Sequence, residues 1–535
     1  MKTIQYQQTY SKDVYFWILT VIAVALPFFP KALVIGQILL VLNWLVEGGL
    51  IIKLKLIYQR KSLLFFLAIY VVHILWLINS VDLKQGFTDI FMKLPLLIFP
   101  VILATIEPLS KIKVNKILSM FIISVVLSTI IICLFIFGII PNHYTDVRET
   151  SIFISPIRLS LMIVLSLLTM FYWLVSDDKA ISPKHFFFLL LCIWLFYFLI
   201  LLKSLTGIFI FSITLICLIL IYLKSVKNQF LKIGLIMIMY AIPIIAVGYI
   251  IMVFNNYRFE ESLDLKHLAA YTQNGKRYIH DTLDKHKENG HFVWVNQCPE
   301  ELRKEWNKRS KINYDSLDLK QQNLSVTLTR YMASKGLRKD SIGIWQLSKQ
   351  DINNVENGLT NYIFGMKGSI YPRVYEAIWE IDEYIKNGDV NKHSITQRLS
   401  FAKAGLNVIS EKLFFGYGEG SFHSALNNYY KTHKTGLDLN HQLHTHNQYL
   451  RFIILFGIVG FLIILVAIII PPFFEKKWTT YYFLMIFIIS FLSCLNEDTM
   501  ETQVGVTFFA FFYSLFLWGT DYTSTKQEIA NGEKA

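Results

Sequence analysis

The stretch His441-Gln-Leu-His-Thr-His-Asn-Gln-Tyr-Leu450 runs without interruption into the apolar segment Arg451-Phe-Ile-Ile-Leu-Phe-Gly-Ile-Val-Gly460. Three histidines and an asparagine therefore stand where a long polar region meets a hydrophobic run of bilayer-spanning length. Histidine titrates close to neutral pH, so these side chains are suited to proton transfer. The stretch predicts a transmembrane helix that starts directly after titratable residues at the membrane-water boundary.

The composition of the whole chain is that of a membrane protein. Of its 535 residues, 54% are hydrophobic, 15% are aromatic and 17% are charged, and the mean hydropathy is +0.46. A soluble protein of this length is less apolar. The net charge of +13 is spread over short segments between apolar runs, so it predicts membrane topology and no nucleic-acid partner.

Twelve apolar runs are candidates for helices that cross a bilayer of about 30 Å. They cover residues 14–29, 33–46, 63–78, 92–106, 117–140, 158–175, 186–202, 206–223, 231–254, 449–473, 480–495 and 504–518. The predicted fold class is therefore an all-α polytopic membrane protein with about twelve transmembrane helices. A large, mainly helical domain separates the ninth helix from the tenth.

Lysine and arginine in the short loops predict the orientation, because these residues resist translocation. With the N-terminus inside, the short inner loops hold eighteen of them and the outer loops hold six, among them Lys93 and Lys203. Nine spans precede the long polar region, so that region is predicted to face the periplasm of a Gram-negative cell. Both termini are then cytoplasmic.

The polar region between the ninth and tenth spans is too long for a structureless loop, so it is expected to fold. Residues 299–306 and 375–385 show the spacing of amphipathic helices, and Asp351 is a candidate helix N-cap. The predicted divisions are 1–254 for transmembrane helices 1 to 9, 255–447 for the periplasmic loop domain with the histidine motif, 448–520 for helices 10 to 12, and 521–535 for a cytoplasmic tail.

Two further features precede the histidine stretch. Arg398 opens a predicted helix, and that helix leads to the glycine-rich turn Gly416-Tyr-Gly-Glu-Gly420. Glycines after a helix usually just cap it, so the turn alone is a weak signal. Its specificity comes from the histidine stretch about 25 residues later.

Together these segments resemble the O-antigen ligase and polymerase superfamily of bacterial inner-membrane glycosyltransferases. Members share an arginine, a helix, a Gly-x-Gly-x-Gly-x-Phe turn and a His-x-His-Asn-x-x-Leu stretch that leads into a transmembrane helix. The matching positions are Arg398, Gly416 to Phe422 and His444 to Leu450. In the ligase branch nine residues separate the His-Asn pair from Gly-x-x-Gly, as they do here between Asn447 and Gly457.

The resemblance covers the topology and roughly the last 140 residues. The segment of about 255–395 is longer than in typical members and is similar to the enlarged periplasmic loop of relatives in the Bacteroidetes.

The resemblance implies transfer of a glycan from a polyprenyl diphosphate carrier to a hydroxyl of lipid A-core, with no cofactor and no metal. It implies His446 as the base that takes the hydroxyl proton and Arg398 as a catalytic ligand of the diphosphate. An O-antigen polymerase or a protein O-oligosaccharyltransferase uses nearly the same donor chemistry. The motif residues therefore leave these alternatives open.

One family arginine is missing from this chain. The family carries it in a Ser-Arg-Thr-Gly-like sequence after the seventh span, and Leu205 occupies its position in Leu202-Lys-Ser-Leu-Thr-Gly207. Lys203 or Arg158 is the candidate substrate-binding replacement, although both are also typical of helix ends that reach toward headgroups. His444 and Asn447 are further substrate-binding candidates, with Asn447 also suited to orient a histidine or cap the tenth helix.

Three other readings of the sequence compete with this one. His441, His444 and His446 are numerous enough for a metal site, but neither cysteine nor paired carboxylates lie nearby, so no metal is predicted. The acidic segment Glu497-Asp-Thr-Met-Glu501 is expected to be a solvated loop, the alternative being carboxylates that orient the base or bind the acceptor. A twelve-span transporter or flippase is less consistent with nine spans before the polar region and three after it.

Overall fold

A computed structural model describes most of the chain. The described residues are 2–140, 151–176, 183–226, 228–259, 268–366, 368–388, 390–391, 394–433, 435–438 and 444–521, with the side chains of 2–12, 184 and 225 left out. His441 of the predicted motif and the predicted tail after residue 521 lie outside the described residues. The chain divides into two compact units, one of residues 1–239 and 387–535 and one of residues 240–386.

The N-terminal part of the first unit is built from apolar helices. They are α1 (Lys2–Ala25), α2 (Pro30–Val46), α3 (Leu50–Gln59), α4 (Lys61–Leu75), α5 (Leu83–Met92), α6 (Pro95–Thr105), α7 (Lys111–Ile136), α8 (Pro156–Ser176), α9 (Pro183–Leu201), α10 (Leu205–Tyr222) and α11 (Gln229–Tyr257), with the short strand β1 (Leu109–Ser110) before α7. Helix α11 continues from the first unit into the second.

The second unit is a small domain of short helices. They are α12 (Pro299–Arg309), α13 (Leu324–Ser334), α14 (Ser341–Gln346), α15 (Lys349–Glu356) and α16 (Tyr371–Asn387), with an antiparallel pair of strands, β2 (Lys287–Glu288) and β3 (His291–Phe292). Its core contains Trp306, Leu328 and Tyr331, all fully buried. The helices predicted from residues 299–306 and 375–385 are confirmed as α12 and α16.

The predicted N-cap at Asp351 is wrong. Ser348 caps α15, and Asp351 is the third helical residue, whose side chain accepts a hydrogen bond from the backbone N–H of Ser348. The two residues form a capping box. The helix therefore starts three residues earlier than it would if Asp351 were the N-cap.

The chain returns to the first unit through its C-terminal helices. They are α17 (Ser394–Glu411), α18 (Phe422–Thr432), α19 (Gln448–Ile469), α20 (Pro471–Phe474), α21 (Tyr481–Asn496) and α22 (Gln503–Leu517), followed by β4 (Thr520–Asp521), which pairs with β1. The segment with Arg398 and the glycine turn therefore groups with the membrane helices, since α17 and α18 pack on α19.

The described residues are mostly helical with almost no sheet, as the sequence predicts. Each predicted span coincides with one of the helices above. Within the described residues, seven helices are long and apolar enough to cross a membrane, and α2 and α3 add an eighth span if the bent pair, with its angle of 109°, is counted as one crossing. Four of the other apolar helices there are shorter. These helices indicate a multi-pass membrane protein. The count of twelve spans stays a prediction.

Helix α22 lies at the centre of the first unit. Its residues 504–517 are all buried, because the helix is hydrophobic on every side and packs against α2, α6 and α21. Helix α4 packs on α19 and α6. This packing brings the ends of α4, α19, α21 and α22 together, and the polar cluster described below is built there.

Helix α19 is broken at Gly457, where φ is 62° and ψ is −173°. The break frees backbone carbonyls, and the glycine turn pairs with them. Tyr417 N–H donates to Ile454 O at 2.9 Å and Gly418 N–H donates to Leu455 O at 2.8 Å. A Cβ atom at Gly457 would lie 2.2 Å from the carbonyl of Phe414, so only glycine fits. These backbone contacts join the glycine turn of residues 416–420 to the break at Gly457. They explain the spacing between the two glycine motifs.

Candidate active site

His446 lies in the short segment before α19 and faces a carboxylate. Its φ is +48°, a left-handed conformation that is uncommon for residues other than glycine and is concentrated at functional sites. Its Nδ1 atom lies 3.6 Å from Glu497 Oε1. No hydrogen-bond partner of standard length reaches Nδ1 among the described residues. The side chain keeps 22% of its surface exposed, so a reactant can approach it.

Glu497 is shared between His446 and Arg398. Arg398 Nη2 donates to Glu497 Oε1 at 2.9 Å, and Arg398 Nη1 donates to Asn496 Oδ1 at 2.9 Å. Burial by itself raises the pKa of Glu497, but His446 and then Arg398 outweigh it, so the pKa lies below its ordinary value. Glu497 is therefore ionised at neutral pH and presents a negative charge to the ring of His446.

Asn447 starts α19. Its Oδ1 accepts from Leu450 N–H at 3.0 Å, and its Nδ2 donates to the carbonyl of Leu495 at 2.9 Å. Both ends of the amide thus contact the protein, which favours the capping role of Asn447 over its predicted substrate-binding role. The cap fixes His446, one residue earlier, against the C-terminus of α21.

His444 faces the next carboxylate, Asp498. His444 Nε2 lies 3.7 Å from Asp498 Oδ2, and the rings of His444 and His446 have centroids 4.1 Å apart. Burial, followed by the neighbouring His446, lowers the pKa of His444 to about 4. Burial raises the pKa of Asp498 to about 6, although Arg451 opposes the shift. At neutral pH His444 is therefore uncharged and most of Asp498 is ionised.

A chain of fully or almost fully buried charges continues from this point into the protein. Arg451 Nη2 lies 3.0 Å from Glu501 Oε2, and Lys93 Nζ lies 3.1 Å from the same atom. Lys93 also contacts Glu419 Oε1 at 3.1 Å, and Glu419 Oε2 lies 2.8 Å from His73 Nδ1. Opposite charges alternate along this chain, which offsets the cost of burying them.

Glu501 anchors the acidic segment of residues 497–501 within this network. Gln448 Nε2 donates to Glu501 Oε1 at 2.9 Å, and Gln448 Oε1 accepts from the N–H of Met500 at 2.9 Å. Burial raises the pKa of Glu501, but Arg451 and Lys93 outweigh this effect and hold the pKa at about 2. The segment that carries Glu497 and Asp498 is therefore fixed at its far end.

The prediction that the acidic segment is a solvated loop is wrong. Asp498 is buried, and the side chains of Glu497 and Glu501 are 13% and 7% exposed. Lys93, counted above among the outer-loop lysines, is completely buried. These residues could have been identified in the sequence as ionisable side chains inside or between apolar runs. Such side chains are costly in a membrane segment and are therefore candidates for function.

The other predicted substrate residues lie at the N-termini of α8 and α10. Arg158 donates through Nη1 to Ser155 Oγ at 2.8 Å and lies close enough to Glu497 and Asp498 for electrostatic interaction. In the segment after α9, Thr206 is linked to the site, because its Oγ1 accepts a hydrogen bond from Asn496 Nδ2 at 3.0 Å. Lys203 has a left-handed backbone at φ 53°, and its role in binding substrate stays a prediction.

An apolar cavity adjoins the cluster between α19, α21 and α22. It has an empty volume of about 430 Å³, which includes open solvent, and its lining contains Tyr449, Phe452, Phe491 and Met500. Tyr449 lies three residues after His446, and Met500 belongs to the acidic segment. The cavity thus opens a hydrophobic space next to the histidines.

The cluster combines an exposed histidine on an ionised carboxylate, two arginines nearby and a hydrophobic cavity. Such an arrangement takes a proton from a hydroxyl group and stabilises negative charge on a leaving group. Each element contributes to this cluster from the end that the distribution of lysine and arginine predicts to lie on the outer side. In the described part of the chain, no three His, Cys, Asp or Glu side chains are grouped so as to hold a metal ion.

The profile of the family described as O-antigen ligase matches residues 344–465, which is less than a quarter of the chain. The match contains Arg398, the glycine turn, His444, His446 and Gly457. Members of this family are glycosyltransferase-like enzymes that act on lipid-linked glycans. No curated protein matches the sequence.

Proposed function

Residues 344–465 belong to the O-antigen ligase family, and from this premise we propose that the chain is a glycan ligase of the inner membrane. It moves a glycan from a polyprenyl diphosphate carrier to a hydroxyl group of lipid A-core on the periplasmic face. The observation that carries the proposal is the partly exposed His446, 3.6 Å from a Glu497 carboxylate that Arg398 also contacts.

The reaction is a single displacement at the anomeric carbon. The acceptor hydroxyl oxygen attacks this carbon, the bond from the carbon to the diphosphate oxygen breaks, and the configuration inverts. His446 takes the hydroxyl proton, and Glu497 stabilises the imidazolium that results. The polyprenyl diphosphate leaves with the bonding electron pair. No cofactor or metal has a step in this scheme.

Arginine supplies the positive charge for the leaving diphosphate. Arg398 uses Nη1 and Nη2 for Asn496 and Glu497, yet a third of its side chain remains exposed for a phosphate oxygen. Arg158, near the same carboxylates, is the second candidate and compensates for the missing family arginine. The adjacent apolar side chains of Tyr449, Phe452 and Phe491 are consistent with a donor that carries a lipid.

The test is a glycan profile of the host strain after deletion of the gene. Complemented strains carry the wild type, His446→Ala or Arg398→Ala, and lipopolysaccharide, glycoprotein and carrier-linked glycan are separated. The ligase proposal predicts that long glycan disappears from lipid A-core in the deletion strain and in both variants, while full-length chains accumulate on the carrier.

Matched controls come from the second unit. His286 faces Glu288 at 3.6 Å, and Arg303 pairs with the exposed Asp315 at 2.8 Å, so His286→Ala and Arg303→Ala remove similar contacts elsewhere. Both are expected to complement fully. A single repeat unit left on lipid A-core would identify a polymerase, and loss of glycan from proteins would identify a protein oligosaccharyltransferase. Unchanged glycans in the deletion strain would overturn the proposal.

A further inference from the structure

Two carboxylate-histidine pairs lie side by side in this site, and the transfer reaction as proposed uses only one. Glu497 faces His446 at 3.6 Å, and Asp498 faces His444 at 3.7 Å. The two carboxylates are consecutive in the acidic segment, and the two histidines are separated by the buried Thr445. The second pair therefore stands directly against the first.

The two pairs differ in how the carboxylate is held. Glu497 Oε1 has Arg398 Nη2 at 2.9 Å. Neither oxygen of Asp498 has a hydrogen-bond partner among the described residues, although the side chain is 5% exposed. Its described polar neighbours at ion-pair distance are His444, at 3.7 Å, and Arg451, whose Nη1 is 4.0 Å away.

Arg451 is held away from Asp498 by its other contacts. Its Nη2 atom lies 3.0 Å from Glu501, and its guanidinium stacks over the ring of Phe422 at 4.1 Å. Glu501 and Lys93 fix this arrangement from the buried side. His444 is therefore the partner left available to Asp498, and the ring of His444 contacts that of His446.

We propose that Asp498 is a positioning residue of the transfer reaction: its carboxylate faces His444 Nε2 at 3.7 Å and orients the ring of His444, which in turn fixes the ring of His446. This inference rests on the proposed function. A buried carboxylate with so few contacts costs stability, and such a cost is typical of sites where geometry serves the reaction. An Asp498 that only supports the fold would be expected to have its oxygens paired.

The charges that face Asp498 are consistent with this role. Arg451 on α19 stabilises its ionised form, whereas Glu501 and Glu497 of its own segment oppose it, and His446 acts in the same sense as Arg451. The pKa of His444 is held at about 4, so His444 gives Asp498 a neutral N–H rather than a cation. The pair thus orients a ring without adding a second positive charge beside His446.

The test is a double-mutant cycle on the rate of glycan transfer. Full-length wild type, Asp498→Asn, His444→Gln and the double variant are purified in detergent and mixed with lipid-linked glycan and acceptor membranes from the deletion strain. Each single variant is expected to lower kcat about tenfold with an unchanged KM for the donor, and the double variant is expected to be no slower than either single variant.

A product of the two single effects, about a hundredfold loss in the double variant, would overturn the proposal, and so would a wild-type rate for Asp498→Asn. His286→Gln, from the matched pair in the second unit, is expected to leave the rate unchanged. If Asp498→Asn does not fold, Asp498→Glu takes its place in the cycle. Failure of the proposed function gives a different result, because then the wild type itself forms no glycosylated lipid A-core from these substrates.

Discussion

The two ends of the segment formed by α19 and α20 each bring an arginine close to a buried carboxylate, but they are built differently. Past α20, Glu475 Oε1 and Oε2 accept from Arg60 at 2.8 Å each, and Ser62 and Trp518 add further donors. At the other end, Asp498, His446 Nδ1 and Arg451 Nε have no hydrogen-bond partner among the described residues.

The difference separates a structural contact from a reactive one. A buried carboxylate whose oxygens are all paired stabilises one arrangement of the helices. Unpaired buried groups cost free energy, so their concentration at the His446 end indicates a site kept for chemistry. We call these the satisfied end, around Glu475, and the reactive end, around His446 and Asp498.

The largest expected effect comes from removing the base at the reactive end. His446→Ala should lower the rate of glycan transfer by about 10²- to 10⁴-fold, because no other described side chain takes its place beside Glu497. Its melting temperature should stay close to that of the wild type, since His446 Nδ1 has no hydrogen bond to lose among the described residues. Transfer rate and thermal unfolding measured on the same preparations check both statements.

The next largest effect is expected at Gly457, where α19 is broken between the reactive end and the satisfied end. Gly457→Ala should destabilise the fold by more than about 3 kcal/mol, because the added Cβ would lie 2.2 Å from backbone atoms of Phe414 and φ is positive. Gly234→Ala is the matched control, since a Cβ there meets nothing within 4 Å. An unchanged melting temperature for Gly457→Ala would show that the turn and α19 are not in contact.

A smaller effect is expected at the satisfied end. Glu475→Gln should lower the free energy of unfolding by about 1 kcal/mol, because it leaves the partly buried Arg60 without its charged partner. Transfer by the remaining folded protein should be unchanged. A rate that falls as far as it does in His446→Ala would remove the distinction between the two ends.

The smallest effect has the opposite sign. Burial raises the pKa of Asp498 to about 6 from an ordinary value of 3.8, so the folded protein binds this proton more tightly than the unfolded chain does. Stability from this group is therefore lost as the pH rises from about 4 to about 6. Asp498→Asn should raise the free energy of unfolding by on the order of 1 kcal/mol at pH 7.5 and by little at pH 4, as measured by thermal unfolding at both pH values.

Much of the helical architecture could be predicted, since apolar runs of spanning length leave few alternatives to a helix in a membrane. The bend between α2 and α3 could not, because Gly48 and Gly49 mark a turn but not its angle of 109°. Residues around Lys53 were assigned to an inner loop on charge alone. They form α3, and Lys53 pairs with Glu47 at 2.8 Å.

The candidate site was predictable only where its residues lie within one motif. Arg398, His444 and His446 are close in sequence to the glycine turn and to α19. Lys93 and Glu501 are 408 residues apart and meet only after α6 and α22 pack together. Their pairing has no local periodicity, so a single sequence does not reveal it.

The measurement that tests the central claim most directly is transfer by purified full-length protein. Wild type, His446→Gln and Glu475→Gln are incubated with lipid-linked glycan from the deletion strain and its acceptor membranes, and both glycosylated acceptor and released polyprenyl diphosphate are quantified. The wild type and Glu475→Gln should form the two products in equal amounts, and His446→Gln should form neither. Equal product formation by His446→Gln and the wild type would contradict the assignment of the reactive end.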